Sequence, residues 1–352
     1  MLQESFIIAV SYITDIMTPE ILTTQHRWLI TGVAGFIGSN LLEYLLQHNQ
    51  IVVGVDSFLT GFQENLNEAL LSCTPAQQAN FTFYEGDVRD ASTCAKVMQG
   101  IDIVLHQAAM ASVPRSLETP ELTHDHNVNG MMNLLMAAKE AGVKAFIYAS
   151  SSSVYGDSPT LPKKEEHQGN LLSPYAASKH VMEVYADVFA RCYDLHTIGI
   201  RYFNVFGPRQ NKKGPYAAVI PIWTSALLQN EPIHINGDGS TSRDFTYISN
   251  VVHMNILAAQ HALTTPGHTV YNAGAHQRTT LLELFERISQ ALGDSRTSEV
   301  HFRDFRVGDI RHSCADISRA QTELGYRPLC SVEEGIIHTV KWFKEKMQQC
   351  AA

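Results

Sequence analysis

The chain has 352 residues, 45% hydrophobic and 17% charged, which is apolar content enough to bury a large sheet and too long a chain for a minimal core. A formal net charge of -9 and the lack of any Lys/Arg-rich run exclude nucleic acid as an expected partner, because phosphate binding needs a basic patch. Six scattered cysteines with no CxxC pair argue against a zinc knuckle or a disulfide scaffold and for a reducing, cytoplasmic setting.

Residues 1 to 26 read as an N-terminal extension that packs as a helix or frays. Its apolar stretch, Ser5 to Ile13, is nine residues long, too short to span a bilayer, and it lacks the basic start of a signal peptide. No other run reaches membrane length, so no membrane partner is expected.

Residues 27 to 38, RWLITGVAGFIG, run from a strand-like stretch into Gly32, Gly35 and Gly38 and then into the helical pattern SNLLEYLLQH. Strand, glycine turn and helix in that order predict a phosphate cradle. Gly32 makes the tight turn, Gly35 lets a pyrophosphate approach the backbone beside Phe36 and Ile37, and Gly38 allows close helix packing. The next strand, IVVGVD, ends in Asp56, 18 residues beyond Gly38, where a carboxylate accepts both hydroxyls of an adenosine ribose. No Lys or Arg occurs from Ser57 to Gln63 to neutralise a 2'-phosphate, and Ser57, Phe58 and Gly61 lie in that stretch; NAD is therefore expected rather than NADP.

Further strands are predicted at 81 to 88, 101 to 109, 144 to 153 and 196 to 207, separated by helices such as NGMMNLLMAAKEAG. Near-continuous apolar strands alternating with helices imply an α/β fold, a Rossmann-type doubly wound parallel sheet. Ligands of such sheets lie beyond the strand carboxyl ends. Those ends carry Asp87 and Val88 for the adenine edge, Gln107, Ala108 and Ala109 for the nicotinamide ribose, the serines 150 to 153, and Asn204. Sixteen histidines include no HExxH, and the nearest pair, His124 and His126, alternates as on a strand or loop, so no metal is expected. Beyond residue 207 the pattern breaks into Pro- and Gly-rich loops, which divides the chain into a dinucleotide-binding part, 27 to 207, and a smaller C-terminal substrate-binding lobe, 208 to 352, with some later segments returning to the sheet.

In SPYAASKHVMEVY the phenol of Tyr175 and the ammonium of Lys179 project from one helix face a turn apart. A free tyrosine has a pKa of about 10, and a shift of roughly 3 units toward neutrality needs about 4 kcal/mol. One cation some 5 Å away supplies roughly 3 kcal/mol at an effective dielectric near 20, and the nicotinium of NAD+ would supply the rest. Ser151, 24 residues earlier and at a strand end, can hydrogen-bond a hydroxyl being oxidised. Ser151, Tyr175 and Lys179 beside a nicotinamide make a hydride-transfer site.

With GVAGFIG, SSSSVYG, SPYAASK and RYFNVFGPRQ together, the chain resembles the extended short-chain dehydrogenase/reductases, and within them the nucleotide-sugar 4-epimerases, over roughly residues 27 to 345. HQAAMASVPRS, GPYAAVIPIW, INGDGSTSRDFTYI and FRVGDIRHSCADIS are similar to the bacterial epimerases of UDP-N-acetylhexosamines or their uronic acids. The resemblance implies a redox-neutral cycle through a 4-keto sugar, with Tyr175 as base, NAD retained, and a homodimer formed through helices near 126 to 141 and 175 to 192, whose outer faces would carry Met131, Met132, Leu135, Val184 and Val188. It implies that Asn204, Asn236, Arg243, Arg306 and Asp309 hold uridine and diphosphate, that Ser112, Ser151, Ser152 and Val219 also meet the substrate, and that the small Ser313, where galactose-restricted relatives have a tyrosine, leaves room for a 2-acetamido group. Ala111 stands where these relatives have glycine, which narrows the expected sugar pocket. The route implied is the supply of surface-polysaccharide precursors. A 4,6-dehydratase of the same fold carries an Asp-Glu pair after the strand hydroxyl, where this chain has Ser152 and Ser153; a decarboxylase acting on UDP-glucuronate and a non-catalytic dinucleotide sensor are the other readings.

Overall fold

Seven parallel strands form the main sheet of the computed structural model, which describes residues 18–212, 217–293, 299–305 and 310–351. They are β1 (Arg27–Thr31), β2 (Ile51–Asp56), β3 (Phe81–Glu85), β4 (Ile103–His106), β5 (Ala145–Ser151), β6 (Thr197–Tyr202) and β7 (His268–Ala273). In space they run β7-β6-β5-β4-β1-β2-β3, and every pairing is parallel. The chain winds outward from β1 to β3 and then returns to start again at β4 on the other side of β1. That reversal opens a crevice at the carboxyl ends of β1 and β4.

The expected sheet is present, with strands shorter than the apolar runs suggested. Residues 86 to 88, 107 to 109 and 152 to 153 have already left their strands. Residues 86 to 88 and 107 to 109 line a cavity instead. β4 and β6 are buried throughout, as expected where helices cover both faces.

One face is packed by helix Phe36–Gln47, through Leu41, Leu42, Leu45 and Leu46, and by helix Ile248–Thr264, through Val251, Met254 and Ala258. The other is packed by helix Gly130–Ala141, through Leu134 and Leu135, and by helix Pro174–Tyr193, through Met182, Ala186 and Phe189. Helix Ile248–Thr264 and β7 thus return to the main sheet from beyond residue 207. A third cluster unites helices Val219–Gln229, Leu281–Leu292 and Val332–Ala351 around Trp223, Leu227, Leu284, Ile288, Ile336 and Val340.

Residues 1 to 17 of the predicted extension lie outside the described residues. Just after them the turn Glu20–Thr23 buries Ile21 and Leu22 in the core, and the Ile21 N-H donates to Gln260 Oε1 at 3.1 Å. His124 and His126 belong to no strand or loop: helix Pro120–His124 passes through a π turn, Asp125–Asn129, into helix Gly130–Ala141. Met131 and Leu135 are fully buried core residues rather than an outer face, whereas Val184 is exposed. Among the described residues no helix is long and apolar enough to cross a membrane.

Candidate active site

The glycine turn behaves as its spacing predicts. Gly32 has φ +67, and a Cβ there would lie 2.8 Å from the Ala108 nitrogen, so both the turn and the approach of β4 require glycine. A Cβ on Gly38 would lie 2.2 Å from the Gly32 carbonyl oxygen. Gly35 precedes helix Phe36–Gln47, which no side chain caps; the donors of its first turn, at Phe36 and Ile37, are left for an anion.

Asp56 ends β2 and is almost fully buried. Its carboxylate accepts the Ala34 N-H at 2.9 Å and the Phe58 N-H at 2.8 Å. Burial raises its pKa, and these backbone donors together with Ser57 work against that rise. Each oxygen keeps a lone pair for a ribose hydroxyl. A Cβ on Gly61 would lie 2.9 Å from both oxygens, so a larger residue there would displace the carboxylate.

A partly open cavity brings these parts together. Gly32, Gly35, Asp56 and Ser57 line one side of it, and Asp87, Val88, Gln107, Ala108 and Ala109 the other. Phe36, Ile37, Gly38, Phe58 and Gly61 stand behind that lining. A glycine cradle that any Cβ would fill, a held carboxylate at the second strand and no cation from Ser57 to Gln63 fit a dinucleotide with a free ribose 2'-hydroxyl. Asp87 is less available than expected. Burial works to raise its pKa, but the hydrogen bonds from Arg89 prevail and hold it below the usual carboxylate range, with the guanidinium at 2.8 Å. His126, which the sequence reading left aside, also lines the cavity.

The catalytic candidates meet at the carboxyl end of β5. Ser173 caps helix Pro174–Tyr193, its Oγ accepting the Ala176 N-H at 3.1 Å, and Pro174 sits at the first turn, which together fix where Tyr175 starts. Ser151 acts on the Tyr175 phenol, working to lower its pKa, while its Oγ accepts the Ser153 N-H at 3.1 Å and the Ser153 hydroxyl at 2.9 Å. Lys179 is 1% exposed and its Nζ donates to the Ala149 carbonyl at 2.7 Å. Burial pulls the Lys179 pKa down to about 7, against the opposing charge of Glu183. Burial also raises the Tyr175 pKa, and the Ser151 hydrogen bond opposes it. Among the protein's own groups desolvation prevails at the phenol, the lysine being itself desolvated and directing its ammonium to a strand carbonyl, which leaves the phenolate to depend on the cofactor's positive charge, as expected.

Asn127 was missed. It lies in the π turn, accepts the Met110 N-H at 2.8 Å and donates to Ser178 Oγ at 2.9 Å, and Ser178 in turn donates to the Tyr175 carbonyl at 2.8 Å. Three residues on, a Cβ on Gly130 would lie 2.8 Å from Val88 Cγ2, so the turn packs closely against the cavity lining. Tyr202 and Asn255 were missed as well. They hold Gln107, with Tyr202 Oη donating to Gln107 Oε1 at 3.1 Å and Gln107 Nε2 donating to Asn255 Oδ1 at 3.2 Å.

The substrate candidates form a looser set. Ser112 Oγ is engaged as the cap of helix Val113–Glu118, accepting the Arg115 N-H at 3.2 Å, and Ser152 opens the 3-10 turn after β5. Exposed Asn204 is tied to the second lobe where its carbonyl accepts the Thr246 N-H at 3.2 Å. Val219 begins helix Val219–Gln229, and Asn236 ends a short strand paired with Val300–Arg303. Arg243 donates to the carbonyls of Ser242 and Arg311, both at 3.1 Å. Ser313 donates its N-H to the Ser242 carbonyl at 3.1 Å, while its Oγ is buried with no hydrogen-bond partner among the described residues. Arg306 and Asp309 lie outside the described residues. Arg278, missed in the sequence, donates to Ser242 Oγ at 3.1 Å. After burial, the charges of Arg278, Arg243 and Arg311 are what depress the His312 pKa, so three guanidinium groups gather here. Asp244 beneath them accepts the N-H groups of Ala275 at 2.8 Å and Ala315 at 2.9 Å, and burial pushes its pKa up to about 6.

The profile of the NAD dependent epimerase/dehydratase family matches residues 28–274. A UDP-glucose 4-epimerase of Mycolicibacterium smegmatis is 37% identical over 92% of this chain and 100% of its own length. A UDP-glucuronate 4-epimerase of Thermodesulfobacterium geofontis is 34% identical over 91% of this chain and 97% of its own. Among solved structures, the UDP-N-acetylglucosamine 4-epimerase of Methanobrevibacter ruminantium M1, in complex with UDP-N-acetylmuramic acid, superposes with a TM-score of 0.84 at 38% identity, covering 92% of this chain and 100% of that one.

Proposed function

Because the chain belongs to the NAD dependent epimerase/dehydratase family, we propose that it is an isomerase that inverts C4 of a UDP-N-acetylhexosamine, UDP-GlcNAc and UDP-GalNAc or the corresponding uronic acids, through a 4-keto sugar. The observation that carries the reading is that Ser151, Tyr175 and Lys179 gather at the carboxyl end of β5, the strand paired with β4, whose following residues 107 to 109 line the Gly32–Asp56 cavity. The relatives named above act on glucose, glucuronate and N-acetylglucosamine derivatives, so the sugar is argued from this chain's own Ser313, whose small side chain accommodates a 2-acetamido group.

The bound dinucleotide supplies the acceptor and donor of hydride. Tyr175, oriented by Ser151, takes the proton of the sugar 4-hydroxyl and later returns it. Its raised pKa in the protein alone means that the phenolate forms only when a further positive charge adjoins it. Lys179 contributes its ammonium only while it stays protonated. The guanidinium groups of Arg243, Arg278 and Arg311 hold the diphosphate; a keto sugar that left would strand the enzyme with reduced cofactor. Serines at 152 and 153 in place of an acid pair support epimerisation over elimination.

The exposed Met136, Val184 and Tyr185 on helices Gly130–Ala141 and Pro174–Tyr193 support a homodimer through that helix pair, which light scattering tests. For the chemistry, anomeric proton spectra of the protein incubated with UDP-N-acetylglucosamine, and separately with its uronate, are expected to show galacto-configured product. No such product from either sugar defeats the proposal, and the ratio of the two rates settles C6.

A further inference from the structure

Three consecutive residues of β5 engage three successive turns of helix Pro174–Tyr193. Ser151 acts on the Tyr175 phenol electrostatically, the Ala149 carbonyl accepts Lys179 Nζ at 2.7 Å, and Ser150 Oγ donates to Glu183 Oε1 at 2.6 Å. The first two contacts belong to the proton-transfer site described above. The third has no place in it so far, although Glu183 lies one turn beyond Lys179 on the same helix face.

Glu183 is 6% exposed and its partner Arg201 1%. Arg201 Nε donates to Glu183 Oε1 at 2.9 Å and Nη2 to Oε2 at 2.8 Å, while Nη1 donates to the Glu165 carbonyl at 2.8 Å. The guanidinium carbon lies 5.0 Å from the Tyr155 ring centroid. This carboxylate therefore ties the helix to β5 and to β6 at once, through three hydrogen bonds from fixed elements.

We propose that Glu183 is a positioning residue for proton transfer: through Ser150 and Arg201 it holds the Tyr175–Lys179 face of the helix against β5 and β6, with its carboxylate one turn beyond the lysine. The groups that bear on the Lys179 ammonium are Tyr175 and Glu183 from its own helix, His106 from the end of β4 and Arg201 from β6. His106 is fully buried and its pKa is depressed by burial and by Lys179, so it is neutral and adds no charge. The Glu183 carboxylate is the charge that opposes the burial-driven fall of the Lys179 pKa. A buried ion pair that served stability alone would need neither the Ser150 bond nor its place one turn from the lysine.

The inference rests on the assignment of Tyr175 and Lys179 to proton transfer. The test is the pH profile of kcat for the parent, Glu183→Gln, Glu183→Asp and Ser150→Ala, with unfolding midpoints measured alongside. Loss of the charge lets Lys179 deprotonate earlier, so Glu183→Gln is expected to move the alkaline limb down by about one pH unit. Glu183→Asp keeps the charge and is expected to lower kcat while leaving that limb in place. Ser150→Ala should lower kcat by about three- to tenfold with KM and unfolding midpoint unchanged. An unmoved limb in Glu183→Gln, or an equal displacement in Glu183→Asp, overturns the proposal. If Glu183→Gln does not fold, a parental kcat in Ser150→Ala overturns it alone. Tyr175→Phe in the same series separates the two levels: retained turnover would remove the proton-transfer assignment itself, whatever the Glu183 variants do.

Discussion

The cofactor crevice and the arginine-rich lobe are built in opposite ways. Around the crevice each functional group sits on or just after a regular element: Gly32 after β1, Asp56 at the end of β2, Ser151 at the end of β5, Tyr175 and Lys179 on one helix. In the lobe the cluster of Ser242, Arg243, Arg278, Arg311 and Ser313 is assembled from three separate stretches joined by strands only two residues long. The first arrangement can be read from spacing. The second exists only once distant segments have docked.

That contrast is broken or sharpened by substitution. The largest effect is expected for Tyr175→Phe, with turnover falling about 10²- to 10⁴-fold and bound dinucleotide, read by absorbance after denaturation, unchanged. Gly38→Val comes next. Its Cβ would meet backbone at 2.2 Å, which cannot yield, so protein recovered without dinucleotide and with a stability loss of about 1–3 kcal/mol is expected; full occupancy would show that the helix tolerates displacement. Arg278→Met should raise KM for the nucleotide sugar about tenfold with kcat changed less, consistent with a charged hydrogen bond of about 1.5 kcal/mol. An unaltered KM would confine diphosphate binding to the other arginines.

The last effect, at Asp244, touches stability and leaves turnover aside. Its folded pKa of about 6 exceeds the ordinary 3.8, so the folded state binds this proton more tightly. The stability it contributes is complete below the unfolded value and is lost as pH rises through 6, on the order of 3 kcal/mol. Denaturant titrations between pH 4 and 7 should show that slope in the parent and a flatter one in Asp244→Asn. Equal slopes would mean that the two backbone donors keep the carboxylate ionised throughout.

Legibility followed locality. The glycine spacing, the carboxylate after β2 and the Tyr175–Lys179 interval are set by a turn, a strand end and a helical period, each within a few residues. Asn127 escaped notice because a π turn shifts the helical register by one residue and leaves no pattern of its own. Arg278 escaped because its significance depends on Thr279–Thr280 pairing with Ser242–Arg243, some 36 positions earlier. Asp87 was over-read, since nothing in GDVRD tells whether Arg89 turns back onto it.

By itself the order of amino acids determined the doubly wound sheet, the dinucleotide cradle and the one-turn interval of Tyr175 and Lys179, the pair proposed for proton transfer, because backbone conformation and side-chain periodicity are local properties. Only the tertiary structure decided how those groups behave. Burial, a quantity that belongs to the whole packed chain, raises the Tyr175 pKa and lowers that of Lys179, and the partners that answer it, Ala149, Ser150 and Arg201, come from strands that reach the helix only after the sheet has closed.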